Sequence, residues 1–160
     1  MGHIIIHFDT NSLGRVDFGV DVMTSDRKSF EEIRFKLDCG SDFTTISCDD
    51  LTKKLGYTRE FLESCPFHGN LASLASHEKE LKMQYITNVS IKFGTREIQG
   101  CRIFFALDTK LRSLFGSDIL KYFNWEVNYD DGELRLAKSI KLPRLSENET
   151  LLHIYSVEEH

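Results

Sequence analysis

The sequence predicts a mainly β domain with a few short helices. Apolar and polar residues alternate along several short segments, which is typical of strands that bury one face. Segments with helical spacing are short, and turn-forming residues separate the strands. At 160 residues the chain has room for one domain with a sizeable core.

The alternation is clearest in residues 15–22, 33–37 and 88–93. In the first of these segments every second residue is Val or Phe, and the residues between them are Asp or Gly. The polar run at residues 24–29 predicts a hairpin connection between the first two strands. A second hairpin is predicted around Asp130-Asp131-Gly132, because the glycine accepts the positive φ that such a turn requires.

Three short segments predict helices. In the first, residues 48–55, Ser47 can cap the helix and Gly56 can end it, with acids in the first turn and lysines in the last. A second helix is expected over residues 59–64. The third is expected over residues 117–123, with its cap at position 117 or 118.

Charge and composition exclude several classes of function. The net charge is −5, and no run of Lys and Arg exceeds two adjacent residues, which argues against nucleic acid binding. Residues 1–7 have neither a basic region nor a long apolar run, so we expect no signal peptide and no membrane span. The expected location is therefore the cytoplasm.

The cysteines favour neither a metal site nor a disulfide framework. Cys39, Cys48, Cys65 and Cys101 form no C-x-x-C pair and no paired spacing with histidine. Reduced thiols are expected in the cytoplasm. We therefore expect no bound metal and no cofactor.

One loop carries the functional signal. The apolar strand that ends at Leu37 runs directly into Asp38-Cys39-Gly40-Ser41, and hydroxyl residues follow. Hydroxyl side chains bond readily to nearby backbone groups, so this sequence can hold a carboxylate in a fixed position at a strand end. Taken alone, the loop is also compatible with an ordinary solvent-facing aspartate in a turn.

The loop resembles the active-site loop of retropepsin-like aspartic proteases of the cellular and bacterial type. That pattern is a hydrophobic residue, Asp, Thr or Ser, Gly, Ala or Ser, and then a Thr and an aliphatic residue. The matching residues are Asp38, Gly40, Ser41, Thr44 and Ile46. A second family motif, two hydrophobic residues and a glycine before a helix, is matched by Leu114, Phe115 and Gly116.

The resemblance covers about residues 16–136 and implies a closed, barrel-like acid protease fold that forms a homodimer. The retropepsin-like domain would span residues 1–142, and residues 143–160 would be a C-terminal extension or an interface segment. Family dimers interleave their terminal strands, so residues 151–157 are a candidate interface strand. Their pattern is almost equally compatible with a helix.

The chemistry of the family requires two carboxylates about 3 Å apart that share one proton. A further D-x-G, at Asp130, lies in a polar turn and is better explained by turn chemistry. The resemblance therefore implies a homodimeric aspartic endopeptidase in which two Asp38 side chains activate water. Two alternatives stay open, namely a weakly active or inactive dimer of the same fold that serves binding or assembly, and an unrelated small β-barrel binder.

Three neighbours of Asp38 have expected roles. Gly40 would let two loops approach closely and direct its N–H toward the carboxylates, or would only occupy a positive-φ turn position. The Ser41 hydroxyl would donate to Asp38 and favour an acidic pH optimum. Cys39 replaces the hydroxyl residue that braces the dimer in the family, so the bracing should loosen. Two Cys39 thiols could also form a disulfide across the dimer axis.

The expected substrate is an extended peptide held under a mobile hairpin, or flap. The corresponding region is about residues 67–85, and its candidate substrate-binding residues are Gly69, Asn70, Leu71 and Ala72. The segment has few glycines, which departs from the family pattern. His68 and His77 are interpreted as exposed loop residues, and Cys65 as a small buried residue rather than a nucleophile.

Overall fold

The computed structural model describes residues 4–9, 15–26, 29–73, 76–93, 96–107, 110–138 and 153–156. These residues form two sheets whose strands are mostly antiparallel, with short helical segments between the strands. The prediction of a mainly β domain with few short helices is confirmed. No helix within these ranges is long and apolar enough to cross a membrane.

The larger sheet curls into half a barrel. Its strands follow the order β10-β6-β5-β2-β3-β7, and β4 pairs with β5. The strands of this sheet are β2 Asp17–Met23, β3 Glu31–Leu37, β4 Phe67–Ser73, β5 Ser76–Phe93, β6 Arg96–Phe105, β7 Leu114–Phe115 and β10 His153–Ser156.

The smaller sheet has the order β1-β9-β8, with β1 Ile4–His7, β8 Phe123–Asn128 and β9 Glu133–Lys138. β8 and β9 form the hairpin that the sequence predicts. Gly132 in its turn has φ 64°, which is the left-handed conformation expected of it. Asn128 stabilises the turn by accepting a hydrogen bond from the Asp131 N–H at 3.1 Å. The D-x-G at Asp130 therefore lies in a turn, as predicted.

The predicted helices are present with changed bounds. A helical turn starts at Cys48 and continues as a π-helix, Asp50–Lys54, which ends before Gly56 at φ 72°. The Ser47 hydroxyl accepts the Asp50 N–H at 3.1 Å, as expected of a cap. Helix α1 is Arg59–Glu63.

The third helix is shorter than predicted. Helix α2 spans only Ser117–Leu120, because the chain turns at Lys121 and Tyr122 and enters β8 at Phe123. The buried rings of Tyr122 and Phe123 thus belong to a turn and a strand. Their apolar spacing was compatible with either state.

The C-terminal residues that the structure describes form a strand rather than a helix. β10 pairs antiparallel with β6 of the same chain, with Ile154 opposite Ile98. It is an edge strand of the larger sheet. The remainder of residues 143–160 lies outside the described residues.

The core lies between the two sheets and beneath β7. Alternate residues of β2 and β3 are buried as predicted, and these include Phe18 and Phe35. The ring of Phe115 packs edge-on against both, with centroid distances of 5.5 Å to Phe18 and 5.9 Å to Phe35. β7 is therefore fixed against β3, with Leu37 opposite Phe115 in a parallel pair.

Candidate active site

Asp38 stands at the carboxyl end of β3, where two backbone bonds fix it. Its N–H donates to the Phe115 carbonyl at 3.0 Å, and its carbonyl accepts the Ser41 N–H at 3.1 Å. The side chain is half-buried. Its Oδ1 accepts the Gly40 N–H at 3.2 Å, so the turn directs a backbone donor at the carboxylate. The loop thus presents one oriented carboxylate at the protein surface.

Gly40 does not occupy the left-handed region, in contrast to Gly56, Gly100 and Gly132. The interpretation of Gly40 as a positive-φ turn residue is therefore wrong. A Cβ added at Gly40 would meet Asp38 Oδ1 at 3.4 Å, which is an ordinary contact. Nothing within the described part of this chain requires a glycine at position 40 on steric grounds.

Ser41 does not donate to Asp38. Its hydroxyl donates to the Phe43 carbonyl at 2.8 Å and closes a bend inside the loop. The expectation that Ser41 favours an acidic optimum by bonding to Asp38 is therefore wrong. The local bend directs the hydroxyl away from the carboxylate, which the order of residues alone does not reveal.

Cys39 lies between Asp38 and Gly40 with an exposed, free thiol. Cys48, Cys65 and Cys101, which also belong to the described residues, form no disulfide. Burial raises the pKa of the Cys65 thiol, which disfavours the thiolate and agrees with a small buried residue. The described residues contain no cluster of side chains suited to a metal ion.

The two motifs identified in the sequence lie in contact. Gly116 packs so closely on the Asp38 loop that an added Cβ would be 2.4 Å from the Phe43 carbonyl oxygen. The Ser117 N–H then donates to the Ser41 carbonyl at 2.8 Å. Leu114 and Phe115 form β7, so the second motif packs directly against the Asp38 loop.

Thr44 joins the motifs through its side chain. The hydroxyl donates to Asp118 Oδ1 at 2.7 Å and accepts the Gly116 N–H at 3.0 Å. Thr44 is fully buried. Asp118 was considered in the sequence only as a helix cap, so its contact with the loop was missed. The available signal was an acid placed between the apolar residues Phe115 and Ile119.

The predicted flap region forms a hairpin from β4 and β5. Gly69, Asn70, Leu71 and Ala72 lie on β4, and the backbone of Leu71 pairs with that of Leu81. His77 lies on β5. His68 lies on β4. Both histidines are thus placed in strands, whereas loops were expected.

An aromatic cluster connects the base of this hairpin to the Asp38 loop. The exposed His68 ring lies 5.2 Å from the ring centroids of both Phe43 and Phe104. Phe43 and Phe104 are themselves 4.5 Å apart. Edge-on and tilted geometries of this kind are favourable for aromatic pairs. The base of the hairpin is therefore anchored on Phe43, in the loop that begins with Asp38.

A cavity of about 680 Å³ is lined by residues of β2, of β3 and of the segments 47–50 and 110–113, and Asp38 is not among them. Its lining contains both signs of charge, including Asp17 and Asp50 as well as Arg34 and Lys36. Asp50 is held by the Ser113 hydroxyl at 2.6 Å. This cavity is therefore separate from the candidate active site at Asp38.

No family model and no curated protein matches the chain. Among solved structures, the fold is similar to that of a retropepsin-like aspartic protease from Rickettsia conorii. The TM-score is 0.53 at 20% sequence identity, and the alignment covers 84% of this chain and 90% of the other. At this identity the likeness establishes the fold and leaves the activity to be argued from the site.

Proposed function

We propose that this protein is a homodimeric aspartic endopeptidase, in which two Asp38 side chains from two chains activate a water molecule. The observation that carries the proposal is the Asp38 turn, where a half-exposed carboxylate is fixed at a strand end and accepts the Gly40 N–H at 3.2 Å. The likeness of the fold to a retropepsin-like protease supports the same conclusion.

The dimer follows from the chemistry. One carboxylate must take a proton from water while a second, protonated carboxyl donates to the scissile carbonyl. Of the three D-x-G sequences in the chain, the one at Asp17 forms the start of strand β2 and the one at Asp130 lies in the β8–β9 turn. Asp38 is the one that stands in a loop at the end of a strand, with the Gly40 N–H directed at its carboxylate. A two-fold axis beside Asp38 supplies the second carboxyl from an identical surface.

Gly40 supports this arrangement. Within a single protomer there is room for a side chain at position 40, and the backbone there does not have the positive φ that favours glycine. In the dimer, the missing Cβ lets the second loop approach the Asp38 pair. The substrate is an extended peptide that lies between this pair and the β4–β5 hairpin, with Gly69, Asn70, Leu71 and Ala72 as contact candidates.

The experiment is cleavage of a mixed peptide library by the purified protein across acidic and neutral pH, with solution mass measured in parallel. We expect activity per chain to fall on dilution together with the dimer mass, and a bell-shaped pH profile because one carboxyl must be ionised and the other protonated. A dimer that cleaves no peptide at any pH would contradict the endopeptidase and favour a binding or assembly role. A monomer would contradict both.

Cys39 is expected to limit the activity of the dimer. In the resembled family a hydroxyl at this position forms bonds across the dimer, and a thiol is a weaker donor and acceptor. We expect Cys39→Thr to tighten the dimer by about 1 kcal/mol for each restored hydrogen bond and to raise kcat. Sedimentation measures the dimer dissociation constant and steady-state kinetics measure kcat, both in comparison with Cys48→Ser. If the two variants have the same dissociation constant and the same kcat, the role of Cys39 is refuted.

A disulfide between two Cys39 residues requires an oxidising environment, since cytoplasmic thiols are kept reduced. Non-reducing electrophoresis of the oxidised protein tests it. A dimer band should be present in wild type and absent in Cys39→Ser. Cys48→Ser should leave that band unchanged, and a band that survives Cys39→Ser would eliminate the link.

A further inference from the structure

A continuous series of hydrogen bonds connects Asp38 to Asp118. The Asp38 N–H donates to the Phe115 carbonyl at 3.0 Å, and the same peptide unit ends in the Gly116 N–H. That N–H donates to the Thr44 hydroxyl at 3.0 Å, and the hydroxyl donates to Asp118 Oδ1 at 2.7 Å. Each link accepts at one end and donates at the other.

We propose that Asp118 is a positioning residue for Asp38, and that its negative charge polarises this series of bonds and fixes the Asp38 peptide. The catalytic consequence rests on the function proposed above, whereas the coupling between the two residues does not. Bonds in such a series strengthen one another, and a bond to a charged acceptor is stronger than one between neutral groups. The charge of Asp118 thus reaches the backbone of the reacting residue.

The Thr44 hydroxyl gives the series its direction. It has a single hydrogen, and that hydrogen is directed at Asp118. Its lone pairs remain free to accept the Gly116 N–H. If Asp118 is protonated, the acid competes as a donor for the same hydroxyl and the polarisation is lost. The brace on Asp38 therefore depends on an ionised Asp118.

The surroundings of Asp118 make its ionisation costly. Desolvation raises the pKa of the Asp118 carboxyl, and bonds from Thr44 and from the Ile119 N–H at 2.9 Å oppose the shift only in part. Lys121 also lowers that pKa, while the buried Cys101 thiol stays neutral because its own pKa is raised by burial. Asp118 therefore loses its negative charge at a higher pH than an ordinary aspartate when the solution is made acidic.

This cost separates positioning from simple structure. A carboxyl with a raised pKa in the folded state destabilises the fold above that pKa, and the cost disappears as pH falls through it. An amide at position 118 would accept the bonds from Thr44 and Ile119 without that cost. A structural role alone would therefore be met as well or better by asparagine, and only a role for the charge requires the aspartate.

The first test measures the coupling without any catalysis. In a protein that carries Asp38→Asn, the amide resonances of positions 38 and 116 are followed by NMR as the pH is lowered. We expect both to shift with one shared titration, which adding Asp118→Asn removes and adding Asp49→Asn leaves in place. Asp49 is an exposed acid that follows the same loop in the sequence. A shared titration that persists after Asp118→Asn, or none at all, would overturn the proposal.

The second test measures the consequence for activity. Compared with Asp49→Asn, the Asp118→Asn enzyme should show a kcat lowered about fivefold with KM unchanged. The acidic limb of its pH profile should also move to lower pH, because a titrating group has been removed. Its melting temperature at neutral pH should equal or exceed that of wild type. Unchanged kcat and an unchanged acidic limb would reduce Asp118 to a structural residue.

The two tests can fail separately. If the wild-type protein cleaves no peptide while the amides of positions 38 and 116 follow Asp118, the proposed function fails and the coupling holds. If the protein cleaves peptides but the titration of those amides does not depend on Asp118, the function holds and the positioning role fails.

Discussion

Asp38→Asn is expected to lower the rate of peptide cleavage by about 10³-fold or more, because an amide can neither take a proton from water nor share one with a second carboxyl. Folding should be unaffected, since the Asp38 backbone bonds to Phe115 and Ser41 do not involve the side chain. The measurement is kcat/KM on a peptide that the wild-type protein cleaves. A variant that retains its folded spectrum and its activity would remove Asp38 from the mechanism.

Asp130→Asn is the matched control, because Asp130 also belongs to a D-x-G and is exposed in the β8–β9 turn. Its activity should equal that of wild type. Mixing supplies a second check. Equal amounts of wild type and Asp38→Asn are mixed and allowed to exchange. If each dimer needs two intact chains, the mixture should have about one quarter of the activity of wild type at the same total protein concentration. Retention of half the activity would indicate that each chain acts alone.

Gly116→Ala is expected to destabilise the fold by about 3 kcal/mol, at the upper end of the range for overpacking. The added Cβ would stand 2.4 Å from the Phe43 carbonyl oxygen and 3.0 Å from that of Ser41. Both obstacles are backbone, so no side chain can rotate away. The loop would have to separate from β7 and break the Asp38–Phe115 bond. Urea unfolding followed by circular dichroism measures the loss.

Gly40→Ala is the control for the stability of the single chain. Its Cβ would meet only the Asp38 carboxylate at an ordinary distance, and its backbone has no positive φ. The unfolding midpoint of the monomer should therefore change little, while dimer formation and cleavage should weaken. A Gly116→Ala protein as stable as Gly40→Ala would refute the packing of the second motif against the loop.

Local patterns predicted the elements whose two faces differ most. In β2 and β3 the buried and exposed residues alternate, so burial of Phe18 and Phe35 followed from the period of two. The β8–β9 turn followed from one glycine that accepts positive φ. The contact between the two motifs was not predicted, since nothing local to Asp38 or Gly116 indicates that they meet.

The rest depended on contacts distant in sequence or on the conformation of single bends. The Ser41 hydroxyl bonds to Phe43 because of the shape of one turn. Asp118 meets Thr44 across 74 positions, and no short-range pattern records such a partner. β5 continues for 18 residues through irregularities around Asn88, which has φ 57°. A strand bent in this way lacks the regular alternation that reveals shorter strands.

The pairing of β1 with β9 has a consequence for how the chain acquires its structure. Ile4 lies opposite Leu136, so β1 can pair with β9 only after the residues up to Leu136 have been synthesised. Contacts between such distant residues close large loops, and proteins rich in them fold slowly. During synthesis at the ribosome, β1 would remain unpaired until the β8–β9 hairpin had emerged. Its apolar Ile4 and Ile6 side chains would stay open to chaperones or to aggregation for that period.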